Sequence, residues 1–292
     1  MDQNKKLTVG IIQSKVTQNK QENIETMKKT MGEFIEKYPK TELLVLGECW
    51  GTPYNTKKFK QYSENIEKQK SPSVKMLSEF AKNHEIYIIG GTIIEKVKEE
   101  NETKLYNTCC VFDSKGELIG KYRKIHLFNI DIPNKITFKE SETLSAGKKT
   151  FAFSMKNGNF KIGIGICFDM RFPELTALYS HIHNINLMVY PGAFNMTTGV
   201  HWGLYGKVRA LDTQSYVILA SPARDENSPD YVAWGHSSIF DPFASIVSEL
   251  DHNPGFISYT LDLDVILQTR QQIPVLKGKR FDFYDVSELK KD

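Results

Sequence analysis

The sequence predicts an α/β fold in which helices pack outside mixed sheets. Three observations predict it. Short apolar runs rich in β-branched residues alternate with longer segments whose apolar residues recur at helical spacing. Two pairs of strand-like runs flank short turn signals. No Gly/Pro/Ser linker, low-complexity tract or internal repeat interrupts the 292 residues, so residues 1–292 read as one domain. A chain of this length buries most of its apolar surface without staples.

Residues 7–12 (Leu-Thr-Val-Gly-Ile-Ile) form the first buried strand. Over residues 19–38, Ile24, Met27, Met31, Phe34 and Ile35 fall on one face of an amphipathic helix. Residues 43–46 are a second strand, ending where Gly47-Glu48-Cys49-Trp50-Gly51 must turn. Ser71 caps a helix whose first position is Pro72; Val74, Leu77, Phe80 and Ala81 supply its inner face. Residues 86–94 read as a third strand. Residues 106–113 and 118–124 flank Ser114-Lys115-Gly116-Glu117 as a hairpin. Residues 150–155 and 160–166 flank Asn157-Gly158 as a second one. Helix then alternates with strand: 173–183, 186–190, 202–216, 217–220. Strands at 237–240 and 257–261 and a helix at 263–270 complete the chain.

Composition excludes several classes. The net charge of +3 is small for this size, and the basic runs Lys57-Lys58 and 121–124 are short, which disfavours a nucleic-acid partner. The longest apolar runs are too short to span a bilayer, and residues 1–6 are polar rather than a signal peptide. The four cysteines, Cys49, Cys109, Cys110 and Cys167, show no CxxC spacing, which disfavours a zinc ribbon or a thioredoxin-type motif. Adjacent Cys109 and Cys110 point to opposite faces in a strand and read as reduced thiols of an intracellular protein. A cytoplasmic location is expected, with a mitochondrial one left open. No GxGxxG opening a helix and no GxxxxGK[ST] is present. His181 and His183, in a helix, make a poor metal-ligand pair. Neither a cofactor nor a metal is expected.

Three residues carry possible chemistry. Cys167 ends an apolar strand with two glycines, Gly163 and Gly165, and a helix opens at Pro173. Such a turn exposes a nucleophile at the rim of a sheet, and the nearby helix start favours a thiolate. Taken alone, a cysteine there is more often a structural thiol. Glu48 also ends an apolar strand, beside Cys49, Trp50 and Tyr54. A carboxyl held among aromatics has a raised pKa and suits a general base near neutrality. Lys124 lies in Tyr122-Arg123-Lys124-Ile125-His126-Leu127-Phe128, where a strand would place it on one face with Tyr122 and His126. A lone lysine is ordinarily hydrated surface, and a lone His126 is ordinarily structural.

In combination these stretches, with Gly165-Ile166-Cys167-Phe168-Asp169-Met170-Arg171-Phe172-Pro173-Glu174-Leu175, resemble the nitrilase-like carbon–nitrogen hydrolase superfamily. The resemblance runs from Val9 to Tyr284. Local features resemble its omega-amidase branch: residues 130–141, Val189-Tyr190-Pro191-Gly192-Ala193-Phe194-Asn195, Ser221-Pro222-Ala223-Arg224-Asp225, residues 231–237 and Arg270-Gln271-Gln272-Ile273-Pro274-Val275. The resemblance implies a four-layer α-β-β-α sandwich that pairs into an eight-layered homodimer. It also implies hydrolysis of the terminal amide of 2-oxoglutaramate and 2-oxosuccinamate through a Glu–Lys–Cys triad. Departures from the family pattern are Gly47 for a usual Pro, Phe168 for Tyr, Asn129 for Asp and Asn134 for Gly. The first is expected to loosen the backbone before Glu48.

The implied roles follow amide chemistry. Cys167 attacks the carbonyl carbon, and Glu48 carries the proton to departing ammonia and then activates water. Lys124 and the N–H of Phe168 stabilise the oxyanion. Glu140, by resemblance, holds Lys124. Arg171 is a candidate for the far carboxylate of the substrate, which a guanidinium binds with two parallel hydrogen bonds. A salt bridge to Glu174 or Asp169 is its alternative. Phe194, Thr198 and Trp202 are candidates for the pocket lining, with ordinary packing as the alternative. Other amidases of the family, an N-carbamoyl amidase and a nitrilase share the triad. A metal-dependent amidohydrolase lacks a ligand set here, and a silent interaction module would not need the triad. The expected partners are a small amide substrate and a second copy of the chain, with neither nucleic acid nor membrane.

Overall fold

The computed structural model describes residues 3–67, 71–99, 102–134 and 136–289. Met1 and Asp2 of the polar N-terminus, and Lys135 within the stretch 130–141, lie outside the described residues. The first half runs β1 (Lys6–Gln13), α1 (Lys20–Lys37), β2 (Leu43–Leu46), α2 (Thr56–Tyr62), α3 (Pro72–His84), β3 (Tyr87–Ile89), β4 (Ile93–Lys98), β5 (Thr103–Phe112) and β6 (Leu118–Arg123). A small hairpin of β7 (Asn129–Ile132) and β8 (Ile136–Lys139) follows. The second half runs β9 (Ala152–Met155), β10 (Phe160–Ile164), α4 (Pro173–Ile182), β11 (Leu187–Pro191), α5 (Trp202–Thr213) and β12 (Tyr216–Ala220). It closes with β13 (Ser238–Phe240), β14 (Ile246–Glu249), β15 (Gly255–Asp262) and α6 (Leu263–Gln272).

Two large sheets result. The first has the order β15-β1-β2-β3-β5-β4, with β6 added on β5. The second has the order β14-β13-β12-β11-β10-β9. In each, parallel central strands are flanked by antiparallel ones: β1, β2 and β3 in the first, β10, β11 and β12 in the second.

Period-two alternation divides the first sheet's side chains between two cores. Leu7, Val9, Ile11, Leu43, Val45, Ile89, Cys109 and Val111 face the second sheet and pack with Ile162, Ile164, Val189 and Ile218. Ile12, Leu44, Leu46, Ile88, Cys110 and Phe112 face the other way, onto Met27, Met31 and Phe34 of α1 and Leu77 and Phe80 of α3. Helices α4 and α5 cover the second sheet through Leu175, Tyr179 and Ala210. The order α-β-β-α is therefore a four-layer sandwich, and Cys109 and Cys110 do face opposite layers.

The expected caps are present. Asn19 Oδ1 accepts from Gln21 N and Glu22 N at the start of α1, and Ser71 Oγ accepts from Val74 N at the start of α3. The structure differs from the expectation at residues 86–94, which are two strands rather than one. The chain breaks at Gly90-Gly91, where Gly91 has φ +59° and a Cβ would come within 2.1 Å of the Gly47 carbonyl oxygen. Both pieces pair with β5. Helix α5 ends at Thr213, three residues before the expected end, because Gln214 adopts a left-handed conformation with φ +46°. Strands β7, β8 and β14 and helix α2 lie outside the sequence expectation.

Candidate active site

Five segments at strand ends converge on one buried cluster. Glu48 follows β2 and Lys124 follows β6, both from the first sheet. Cys167 follows β10 and Ala193 follows β11, both from the second sheet. Glu140 follows β8 of the small hairpin, as the first residue of a short 3₁₀ turn. Glu48, Lys124 and Glu140 are fully buried.

Lys124 is the hub. Its Nζ donates to Glu48 Oε1 at 3.0 Å, to Glu140 Oε1 at 3.1 Å and to Tyr54 Oη at 3.3 Å. Glu140 is fixed from its other side: Oε1 accepts from Tyr54 Oη at 2.6 Å and Oε2 from Phe128 N at 2.7 Å. Glu48 Oε1 also accepts from Asn107 Nδ2 at 2.8 Å, and Oε2 accepts from Ala193 N at 2.7 Å. Every carboxylate oxygen is thus held by named donors, as a buried charge requires.

Cys167 opens a 3₁₀ turn with φ +48°, a left-handed conformation that a side chain adopts only under constraint. Asp169 supplies the constraint. Its Oδ2 accepts from Ile166 N at 2.9 Å and Tyr122 Oη at 2.8 Å; its Oδ1 accepts from His126 N at 2.9 Å and meets His126 Nδ1 at 2.8 Å. The Cys167 turn of one sheet is thereby tied to the segment that carries Lys124 on the other. Tyr122 and His126 do share Asp169, although β6 stops at Arg123 and Lys124 lies one residue beyond it.

The electrostatics decide the resting protonation. Burial raises the Glu48 pKa; Lys124 pulls it down, Glu140 pushes it up again, and the net is upward. Burial would lower the Lys124 pKa, but Glu140 and Glu48 outweigh it and hold the ammonium well above its usual range. Cys167 is pushed well up by burial and then by Glu48, against the pull of Lys124 and a hydrogen bond from Ala193 N–H. The net push is away from a thiolate, because the apolar surroundings and the neighbouring carboxylate outweigh the start of the turn.

The remaining candidates divide. Among the described residues, no carboxylate pairs with Arg171, neither Glu174 nor Asp169. Its guanidinium lies 5.0 Å from the ring centroids of Phe194 and Tyr205 and 5.8 Å from that of Phe168, and Nη1 donates to Tyr205 Oη at 3.2 Å. Phe194 is buried against Trp202 at 5.1 Å. Trp202 is buried, its Nε1 donates to His236 O, and its ring lies over Gly192 beside the Cys167 backbone. Thr198 Oγ1 is committed to Asn195 Oδ1 at 3.0 Å within one turn. Phe168 N–H is in the first turn of the 3₁₀ segment, where backbone donors lack helical partners. His183 Nε2 meets Thr150 Oγ1 and His181 stacks on Phe281, so the two histidines face different neighbours.

Sequence reasoning placed Tyr54 among the aromatics beside Glu48 but missed Asn107 and Tyr231 as parts of the cluster. Tyr231 Oη donates to Ala193 O at 2.6 Å, and its ring packs on Tyr54 at 4.7 Å and Phe138 at 5.8 Å. The expected loosening at Gly47 is also corrected. Gly47 is packed under Ser221 and Pro222, where a Cβ would come within 2.8 Å of backbone. Asn134 takes φ +59° in the β7–β8 turn, a conformation asparagine shares with the usual glycine.

Residues 8–271 match the carbon-nitrogen hydrolase family, and the chain belongs to that family. Among its relatives is the Xenopus tropicalis protein named omega-amidase NIT2, 45% identical over 286 residues, covering 98% of this chain and 99% of that one. The Arabidopsis thaliana protein named omega-amidase, chloroplastic, is 44% identical over 98% of this chain and 76% of its own length. Among solved structures, Saccharomyces cerevisiae Nit3, described as a member of branch 10 of the nitrilase superfamily, superimposes with a TM-score of 0.85. It is 40% identical, over 95% of this chain and 97% of that one.

Proposed function

We propose that this chain is an omega-amidase that hydrolyses the terminal amide of small 2-oxo dicarboxylic acid monoamides, such as 2-oxoglutaramate and 2-oxosuccinamate. The observation that carries this reading is the convergence of Glu48, Lys124, Glu140 and Cys167 in one water-poor cluster, with relatives of that name at 44–45% identity.

The geometry suggests the steps. Cys167 Sγ attacks the amide carbon as Glu48 takes its proton, which the raised thiol pKa makes necessary. The developing oxyanion is stabilised by the Lys124 ammonium and the Phe168 N–H, each worth about 3–4 kcal/mol. Glu48 then gives the proton to nitrogen, the C–N bond breaks, and ammonia leaves a thioester on Cys167. Water, deprotonated by Glu48, releases the oxo acid. Glu140 holds Lys124 charged throughout. Arg171, unclaimed by any described carboxylate, receives the substrate's distal carboxylate, framed by Phe194 and Thr198.

We further infer a homodimer. Val200, in the short 3₁₀ turn before α5, and Leu204, Val208 and Leu211 of α5, spaced at four, four and three residues, form an exposed apolar stripe on the outer layer. Four free, buried cysteines support a reducing compartment, and we assign the cytoplasm.

The deciding experiment compares ammonia release from 2-oxoglutaramate with release from a nitrile and from a ureido acid. The oxo amide should be consumed with the highest kcat/KM. Turnover of the nitrile or ureido acid without turnover of the oxo amide would refute the assignment.

A further inference from the structure

Glu48 is fully buried, yet hydrolysis of a thioester needs a water molecule beside it in every cycle. A cavity of ≈ 40 Å³ reaches that carboxylate. Its wall includes exposed Gln18 and half-buried Asp225 and Ser228, then buried Ala223 and Ala233, and fully buried Glu48. Neither Cys167 nor Phe168, Arg171 or Phe194 lines it, so it meets Glu48 apart from the acyl side of the cluster.

Size decides what fits. One ordered water needs about 10–15 Å³ measured in this way, whereas sites for organic ligands span roughly 300–1,000 Å³. The cavity therefore takes a few waters and excludes an oxo acid. Its lining suits water as well: the Glu48 carboxylate and the Tyr54 hydroxyl at the inner end, Asp225 and Gln18 at the outer.

We propose that this cavity is the water inlet for deacylation, a reading that rests on the proposed amidase activity. Water enters past Gln18 and Asp225 while the acyl group still occupies the side of Cys167 and Arg171. Its oxygen attacks the thioester carbon as Glu48 takes one of its protons. The C–O bond forms, and the C–S bond breaks with its electron pair going to Sγ. Glu48 then returns the proton to sulfur, giving the free acid and the free thiol. A separate inlet lets hydrolysis proceed without releasing the acyl end to open the mouth.

The test narrows the passage at three independent places. Ala223→Val and Ala233→Val add bulk to the buried wall, and Ser228→Trp blocks the partly exposed outer end without touching the core. With 2-oxoglutaramate, kcat should fall about tenfold and KM fall in proportion, leaving kcat/KM unchanged, because only the step after acylation is slowed. Intact-mass spectra during turnover should show the acyl adduct on Cys167 accumulating. A raised KM at unchanged kcat would mean that the cavity admits substrate instead, and unaltered kinetics in every folded variant would mean that water arrives elsewhere. Either result overturns the inlet alone when the unaltered chain turns over. Absence of turnover in the unaltered chain would overturn the activity and the inlet with it.

Discussion

At the scale of single residues, the cluster is a balance between burial and charge pairing. Burial with Glu140 leaves the Glu48 pKa above the ordinary carboxylate range despite Lys124. Two outcomes follow. The base must be ionised to accept the thiol proton, so kcat/KM should fall on the acid side at a pH above that of a free glutamate. A pH–rate profile whose acid limb lies at the free-glutamate value would contradict this. The stability sign is also fixed. A carboxyl whose folded pKa is raised contributes stability below its unfolded pKa and loses it as pH rises through the folded one, so ionised Glu48 weakens the fold near neutrality. Glu48→Gln should abolish amide turnover while leaving the melting temperature equal or higher, since Lys124 keeps Glu140. A melting temperature several degrees lower would show that the Glu48–Lys124 pair is a net stabiliser. The position of Glu48 and the upward direction of its pKa were legible in the sequence from the aromatics beside it, whereas several of its partners were not. Asn107 and Tyr231 are ordinary residue types on remote segments, and only folding shows that Asn107 donates to Glu48 while Tyr231 holds the Ala193 carbonyl beside it.

At the scale of elements, the order of strands and helices was legible wherever one face is buried, because burial imposes a period on the chain. Helix α1 reads plainly from Ile24, Met27, Met31 and Phe34. The hairpin β7–β8 does not, since its strands alternate only between exposed and half-buried positions. The break at Gly90-Gly91 escaped because an apolar run hides a turn that only the Gly47 carbonyl makes necessary. The tie between elements that matters most for chemistry is Asp169, which accepts from Ile166 N, His126 N and Tyr122 Oη. Asp169→Asn turns one acceptor oxygen into an NH₂ group facing donors. It should cost about 2–4 kcal/mol of stability in urea unfolding, and it should lower kcat more than it raises KM. Unchanged kcat with reduced stability would mean that Asp169 serves the fold alone.

At the scale of the whole molecule, the outer layer is as informative as the site. Leu204 is 61% and Val208 45% exposed in the single chain, next to Val200 at 63%. A soluble monomer rarely shows such a stripe, and a second copy of the same face would cover it. Leu204→Glu should shift sedimentation from dimer to monomer, with helical content retained. A chain that is already monomeric at micromolar concentration would remove the dimer. The four layers themselves were legible in the sequence only through family resemblance, because periodicity reports that a face is buried and not what lies against it.

The proposed catalytic groups straddle the seam between the two sheets. Glu48 and Lys124 come from one and Cys167 from the other. The reaction is therefore a chemical gauge of how the sheets are registered against each other. A slip of an ångström along the seam would part sulfur from carboxylate while each sheet kept its own hydrogen bonds. Heating or pressure should accordingly silence the chemistry before either sheet melts.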